Sequence, residues 1–191
     1  DTAHPCHDHD ETIQQTPADQ IAKRLGLEDN LFQVGSTSKI TLAGSGISFI
    51  SSSTENLSKF IDFRNAITPG PNKMNQGMHV KYFESVSIEQ QMNELKKIIK
   101  PKFELVDDIL KPLKDVGLCS YEKPTGGYFY SIDSAKSNAD EIVQNCSDLG
   151  LKLLPMGSCF PYGKDPDKKN IRLAPTFPDL ASLERCVSIF K

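Results

Sequence analysis

Ile88, Met92, Leu95 and Ile99 recur at three- and four-residue spacing, and Phe103, Val106, Leu110 and Leu113 extend the same stripe. That is the period of an α-helix with one apolar face turned to a core. No other pattern in the chain is as long, so the remaining elements must be arranged about this one. Pro101 is expected to kink the helix and Pro112 to end it, because proline lacks the N–H that the helical ladder uses. The stripe reads as core packing rather than as a cofactor-binding face.

Upstream of this helix, Ala18, Ile21, Ala22 and Leu25, preceded by Ile13, give helical spacing that ends near Gly26. Residues 31–34 and 47–51 read as short strands, and residues 56–65 and 75–83 as helices. Thr68-Pro69-Gly70-Pro71-Asn72 is the clearest break. Downstream, residues 118–121, 128–132, 151–154 and 171–174 read as strands. Residues 139–149, stopped by Gly150, and residues 180–191 read as helices. Strands mixed with helices give an α/β chain: the tail of a larger α/β domain over residues 1–85, a linking helix over 86–116, and a small α+β domain over 117–191.

Hydrophobic residues make up 38% and charged residues 25%, the balance of a globular protein. A net charge of −3 gives no electrostatic reason to expect nucleic acid as a partner. No apolar run is long enough to span a bilayer, so no membrane partner is expected. The cysteines (Cys6, Cys119, Cys146, Cys159, Cys186) are odd in number and irregular in spacing, which suggests reduced thiols and a cytoplasmic location. His4, Cys6, His7 and His9 match no standard zinc spacing, and His79 is remote from them, so no metal is expected. Residues 165–170 resemble a calcium loop only superficially, with Lys168 and Lys169 in the middle and no closing Glu. The chain starts at Asp1 rather than Met, and the expectation is a portion of a longer protein.

Three places carry candidate chemistry. Ser36-Thr37-Ser38-Lys39 puts an amine directly after a strand, among hydroxyls and ahead of Gly44 and Gly46. Hydroxyls and free backbone N–H groups there can hold a phosphate, and a desolvated lysine is a nucleophile toward aldehydes. The same residues also read as a surface lysine in a serine-rich loop. Asp1, near His4, is a carboxylate that could hold a protonated ring nitrogen or simply be solvated. Arg172, between Ile171 and Leu173, calls for a fork-shaped anionic partner, either a bound carboxylate or an internal salt bridge.

Asp, Lys and Arg in this order, with these flanks, resemble the class I/II aminotransferase family of fold-type I pyridoxal-phosphate enzymes. Gly35 through Thr41, Gly44-Ser45-Gly46, Lys123 through Phe129, and Phe160 through Pro166 with Arg172 through Pro178 are similar to its MocR-like subgroup, which includes bacterial aspartate aminotransferases. The resemblance covers essentially the whole chain and identifies it as the C-terminal part of a fold-type I large domain followed by the small domain. It implies pyridoxal 5′-phosphate as cofactor, carried covalently by Lys39, with Asp1 and His4 at its ring and Ser36 and Ser38 at its phosphate. It implies that Lys39 shuttles the proton of the substrate Cα and that Arg172 clamps the substrate α-carboxylate. It implies amino acid and 2-oxo acid substrates, aspartate and 2-oxoglutarate among them, and a homodimer. His4 stands where the wider family has Tyr, and Ile47 where it has a phosphate-binding Arg. The alternative reading is a non-catalytic effector domain of a MocR-type regulator that senses pyridoxal phosphate, or an inactive remnant; this portion alone is expected to be inactive.

Overall fold

The computed structural model describes residues 16–154, 157–158 and 160–190. The chain forms two compact units that divide within one long helix, between Leu95 and Lys96. Cys6, His7, His9 and Cys159 lie outside the described residues, as do Asp1 and His4.

The first unit opens with α1, Ala18–Leu25, whose only buried residue is Ala22. It stops at Gly26, where φ is +65°, a left-handed conformation that glycine adopts without steric cost. Strands β1, Gln33–Ser36, and β2, Ser48–Ser51, then pair antiparallel, with Val34 opposite Ile50 and Gly35 opposite Phe49. A Cβ at position 35 would lie 2.5 Å from Phe49 Cε1, so glycine there leaves room for the cross-strand ring. Helix α2, Thr54–Ile67, is capped by the Ser53 hydroxyl, which accepts from Asn56 N–H. After the Pro-Gly-Pro break, α3, Lys73–Phe83, is capped by Asn72, whose side chain accepts from Met74 N–H at 3.0 Å and Asn75 N–H at 3.1 Å.

Helix α4, Ile88–Asp115, contains both Pro101 and Pro112. The expected stop at Pro112 is therefore corrected. An interior proline costs about 3 kcal/mol. Ile99, Phe103, Val106 and Leu110 are each at most 5% exposed, and full burial of such side chains is worth about 1.5–3 kcal/mol apiece. The stripe outweighs the missing ladder bonds. Helix α4 ends beyond its last proline, where Leu118 N–H reaches Leu113 O at 2.9 Å and Gly117 N–H reaches Lys114 O at 3.0 Å. Gly117, at φ +72°, supplies the left-handed residue that this paired cap requires.

In the second unit, β3, Cys119–Ser120, β4, Tyr130–Ser134, and β5, Asn170–Leu173, form an antiparallel sheet in that order. Residues alternate between its faces. Tyr130, Ile132 and Ser134 with Ile171 and Leu173 are buried, whereas Ser131 and Asp133 are exposed. The Tyr130 ring stacks on Phe103 at 5.2 Å, and its hydroxyl donates to Phe103 O at 2.8 Å, so the polar tip of a fully buried ring is satisfied. Asp107 of α4 accepts from Tyr121 Oη at 3.0 Å and pairs with Lys123 Nζ at 2.8 Å. Burial works to raise the Asp107 pKa, yet the hydrogen bonds from Lys123 and Tyr121 win and hold its carboxyl below the usual range. Helix α5, Ala139–Asp148, ends at Gly150 with the same cap geometry as α4, and α6, Leu180–Phe190, buries Leu183 and Val187.

The strand expected at residues 151–154 is absent: these residues carry no ladder assignment. Their apolar run serves a different purpose, since Leu151, Leu153 and Leu154 line a cavity against β5 and α6.

Asp165 organises the approach to β5. Its carboxylate accepts from Asn170 N–H at 2.8 Å, Asp167 N–H at 3.0 Å and Lys169 N–H at 2.8 Å. These backbone donors, Asn170 first, hold its pKa below the ordinary carboxylate value. A depressed native pKa means that this stabilisation is present above the unfolded value, about 3.9, and is lost as pH falls through the native value. Asp165→Asn is expected to lower the melting temperature at neutral pH, with a deficit that shrinks in acid. A deficit independent of pH in thermal melts would contradict this.

Candidate active site

The loop over residues 37–47 joins β1 to β2 and carries Lys39 at its near end. Its shape is fixed largely by Thr37. Thr37 N–H donates to Ile47 O at 2.9 Å, and Ile47 N–H donates back to Thr37 Oγ1 at 3.0 Å, so the two ends of the loop are tied together. The Thr37 carbonyl accepts from Ile40 N–H at 2.9 Å and from Thr41 N–H at 2.8 Å. That pair of bonds wraps a single turn around Lys39. Ile40 points its side chain into the core at 9% exposure, and its carbonyl accepts from Gln91 Nε2 of α4 at 3.0 Å. Lys39 itself is exposed.

Ser36 and Ser38 lie on the same turn. Their hydroxyls are 2.9 Å apart, and Ser38 N–H donates to Ser36 Oγ at 3.1 Å. Gly46 crosses directly against this pair. A Cβ there would sit 2.5 Å from Ser38 N and 2.6 Å from Ser38 Cα, closer than real Cβ contacts come. Glycine is required at this position because backbone passes against backbone. Ser36, Ser38 and Lys39 are thus brought together within one short turn.

The same turn involves a residue that sequence reading noted only as remote. His79 of α3 is buried at 6% exposure. Its Nδ1 lies 2.8 Å from Asn75 O, and its Nε2 lies 2.8 Å from Thr41 Oγ1 and 3.1 Å from Thr37 Oγ1. A lone histidine on a helix carries no local signal of this contact, because its partners are some forty positions upstream.

Arg172 lies in the other unit, on β5 opposite Ser131. Alternation sends it to the face opposite Tyr130 and Ile132. Phe129 comes to the same face, and the guanidinium carbon sits 3.4 Å from the Phe129 ring centre. A cation stacked this closely on an aromatic face is attracted by the ring quadrupole and held in its plane. Arg172 Nε is buried and has no hydrogen-bond partner. A buried unpaired donor is costly, on the order of 1–3 kcal/mol. The internal salt bridge weighed at the sequence level is not among the ion pairs of the described residues. Arg172 also lines a cavity of about 340 Å³ with Leu151, Leu154, Phe177, Leu183 and Cys186.

Asp1 and His4 lie outside the described residues. No group of three or more metal-ligating side chains occurs among the described residues, and no described helix is long and apolar enough to cross a membrane. Cys119, Cys146 and Cys186 are free thiols.

The aspartate amino-transferase family model matches residues 1–190. A Mycolicibacterium smegmatis relative, an aminotransferase by name, is 36% identical over 190 residues, which is 98% of this chain and 44% of that protein. The aspartate aminotransferase of Corynebacterium glutamicum is 35% identical over 166 residues, 86% of this chain and 38% of the relative. Among solved structures, an aspartate transaminase from C. glutamicum superposes with a TM-score of 0.88 at 32% identity, over 98% of this chain and 45% of that one. LysN, the α-aminoadipate aminotransferase of Thermus thermophilus, complexed with N-(5′-phosphopyridoxyl)-L-leucine, shares the fold, with a TM-score of 0.82 at 17% identity over 98% of this chain and 47% of that one. The chain spans less than half the length of the curated relatives it matches. It is α/β and corresponds to the C-terminal portion of these structures. A family model aligned over nearly every residue, with relatives above 30% identity, establishes that this chain belongs to the aspartate aminotransferase family, of fold type I.

Proposed function

We propose that the complete protein containing this chain is a pyridoxal-phosphate-dependent aminotransferase that exchanges the amino group between an amino acid and a 2-oxo acid. The observation that carries the reading is the turn around Lys39, in which an exposed lysine follows directly on two serines whose hydroxyls pair, in a turn closed by backbone bonds. The residues fit the cofactor: an amine suited to its carbonyl, hydroxyls suited to its phosphate, and Gly46 bringing the backbone tight against Ser38. The phosphopyridoxyl compound held by the Thermus relative is consistent with this chemistry.

When bound, pyridoxal phosphate supplies a carbonyl that takes up the substrate amino group and a ring that accepts the electron pair left when the Cα–H bond breaks. Lys39 Nζ would hold the cofactor until the substrate amine displaces it, and the amine so freed would carry the proton away from the substrate Cα. Ser36 and Ser38 hydroxyls donate to the phosphate. Asp1 would hold the ring nitrogen in its protonated form, and the His4 imidazole would donate to the ring's phenolate oxygen. Arg172, flattened against Phe129 with its Nε unpaired, takes the α-carboxylate through two parallel hydrogen bonds and so sets the direction of the Cα–H bond. Aspartate is the proposed amino donor, following the name of the C. glutamicum relative, and 2-oxoglutarate is the proposed acceptor, following the subgroup resemblance. The free thiols fit a cytoplasmic protein, and a homodimer follows the family.

Incubation of the complete protein with pyridoxal phosphate, borohydride reduction and peptide mapping is expected to place the phosphopyridoxyl label on Lys39. The label is expected to disappear in Lys39→Ala. Labelling at another lysine, or none, would overturn the reading. Arg172→Gln is expected to lower kcat/KM for amino acid substrates by about 3 kcal/mol, on the order of 100-fold, the worth of two charge-assisted hydrogen bonds. Uptake of the cofactor should be unaltered. Steady-state kinetics beside a cofactor titration check both points, and an unchanged kcat/KM would remove Arg172 from substrate binding.

A further inference from the structure

We propose that His79 is a positioning residue for Lys39, acting through the two threonines that bracket it; this deepens the proposed function and rests on Lys39 carrying the cofactor. Thr37 and Thr41 stand two residues before and two residues after Lys39. Thr41 Oγ1 lies within 3.1 Å of Thr37 O and 3.3 Å of Thr37 Oγ1, so the two side chains sit on one side of the turn. The His79 ring closes that side, with Nε2 at 2.8 Å from Thr41 Oγ1 and 3.1 Å from Thr37 Oγ1.

The chemistry of the ring sets the direction of these bonds. Nδ1 lies 2.8 Å from the Asn75 carbonyl, which can only accept, so Nδ1 carries a hydrogen. In the neutral ring Nε2 is then the acceptor, and a threonine hydroxyl donates to it. The imidazole has no rotational freedom left: its far nitrogen is bonded one helical turn back along α3, and its face is tilted against the Phe83 ring at 6.1 Å. A rigid acceptor on a capped helix thus holds a hydroxyl of the lysine turn, Thr41 at 2.8 Å with Thr37 beside it at 3.1 Å. Residues 37–47 have no strand ladder of their own. Their shape depends on the Thr37–Ile47 tie, on the amides gathered by the Thr37 carbonyl, on Gln91 and on this clasp. Without the clasp, Thr37 and Thr41 lose their link to α3, and the turn that presents Lys39 is held less tightly, by its own backbone bonds and Gln91. A misplaced reacting group is costly to chemistry even when it remains present.

Two near-isosteric substitutions separate positioning from packing. The glutamine amide overlaps Nε2 and can still meet the threonines. The asparagine amide overlaps Nδ1, keeps the bond to Asn75, and falls short of them. In the complete protein, His79→Gln is expected to bind pyridoxal phosphate with a Kd within about twofold of wild type. His79→Asn and His79→Ala are expected to bind about tenfold more weakly, with slower borohydride-trapped labelling of Lys39. The melting temperatures of the cofactor-free His79→Gln and His79→Asn proteins are expected to agree, which a packing role would not produce. In a Thr41→Val background, His79→Asn is expected to have little further effect on Kd. Equal Kd for His79→Gln and His79→Asn, or losses that follow the melting temperature, would overturn the inference while wild-type labelling of Lys39 leaves the function intact. Absence of wild-type labelling would overturn both.

Discussion

Thr37 is the constraint on which the lysine site depends. Its N–H and hydroxyl tie it to Ile47 in both directions, and its carbonyl gathers the amides of Ile40 and Thr41. Each bond is worth only about 1 kcal/mol net, yet an unmade one in a half-buried place costs more. A residue carrying so many of them cannot be shifted without stranding several groups together. That explains how a loop without a ladder keeps the backbone at Lys39 in a defined turn. It also explains why Gly46 must be glycine, since the returning backbone passes against Ser38 with no room for a side chain.

The arginine is held by other means. Strand alternation places Arg172 and Phe129 on the face of the sheet turned away from the core formed by Tyr130, Ile132, Ile171 and Leu173. The core face fixes the register, because a slip of one residue would turn every apolar side chain outward. The aromatic ring then restricts the guanidinium to one plane. Asp165 reinforces this by gathering the amides that lead into β5.

Much of this was legible in the sequence where the signal is local. The helix stops Gly26 and Gly150 and the stripe of α4 mark their own elements. The small-residue run before Lys39 and the apolar flanks of Arg172 marked both as chemical candidates. Pro112 misled because local propensity was outweighed by the buried stripe that precedes it. Leu151 through Leu154 misled because an apolar run does not say whether it pairs in a sheet or lines a cavity. His79 was invisible as part of the site, since only the fold brings α3 to the threonines. Family membership came from motifs spread along the chain, which periodicity alone could not have supplied.

The most direct test is a crystal structure of the complete protein grown with pyridoxal phosphate. The account predicts continuous density from Lys39 Nζ to the cofactor, with the phosphate within hydrogen-bond distance of the Ser36 and Ser38 hydroxyls. Cofactor density joined to another residue, or a phosphate held away from both serines, would contradict it.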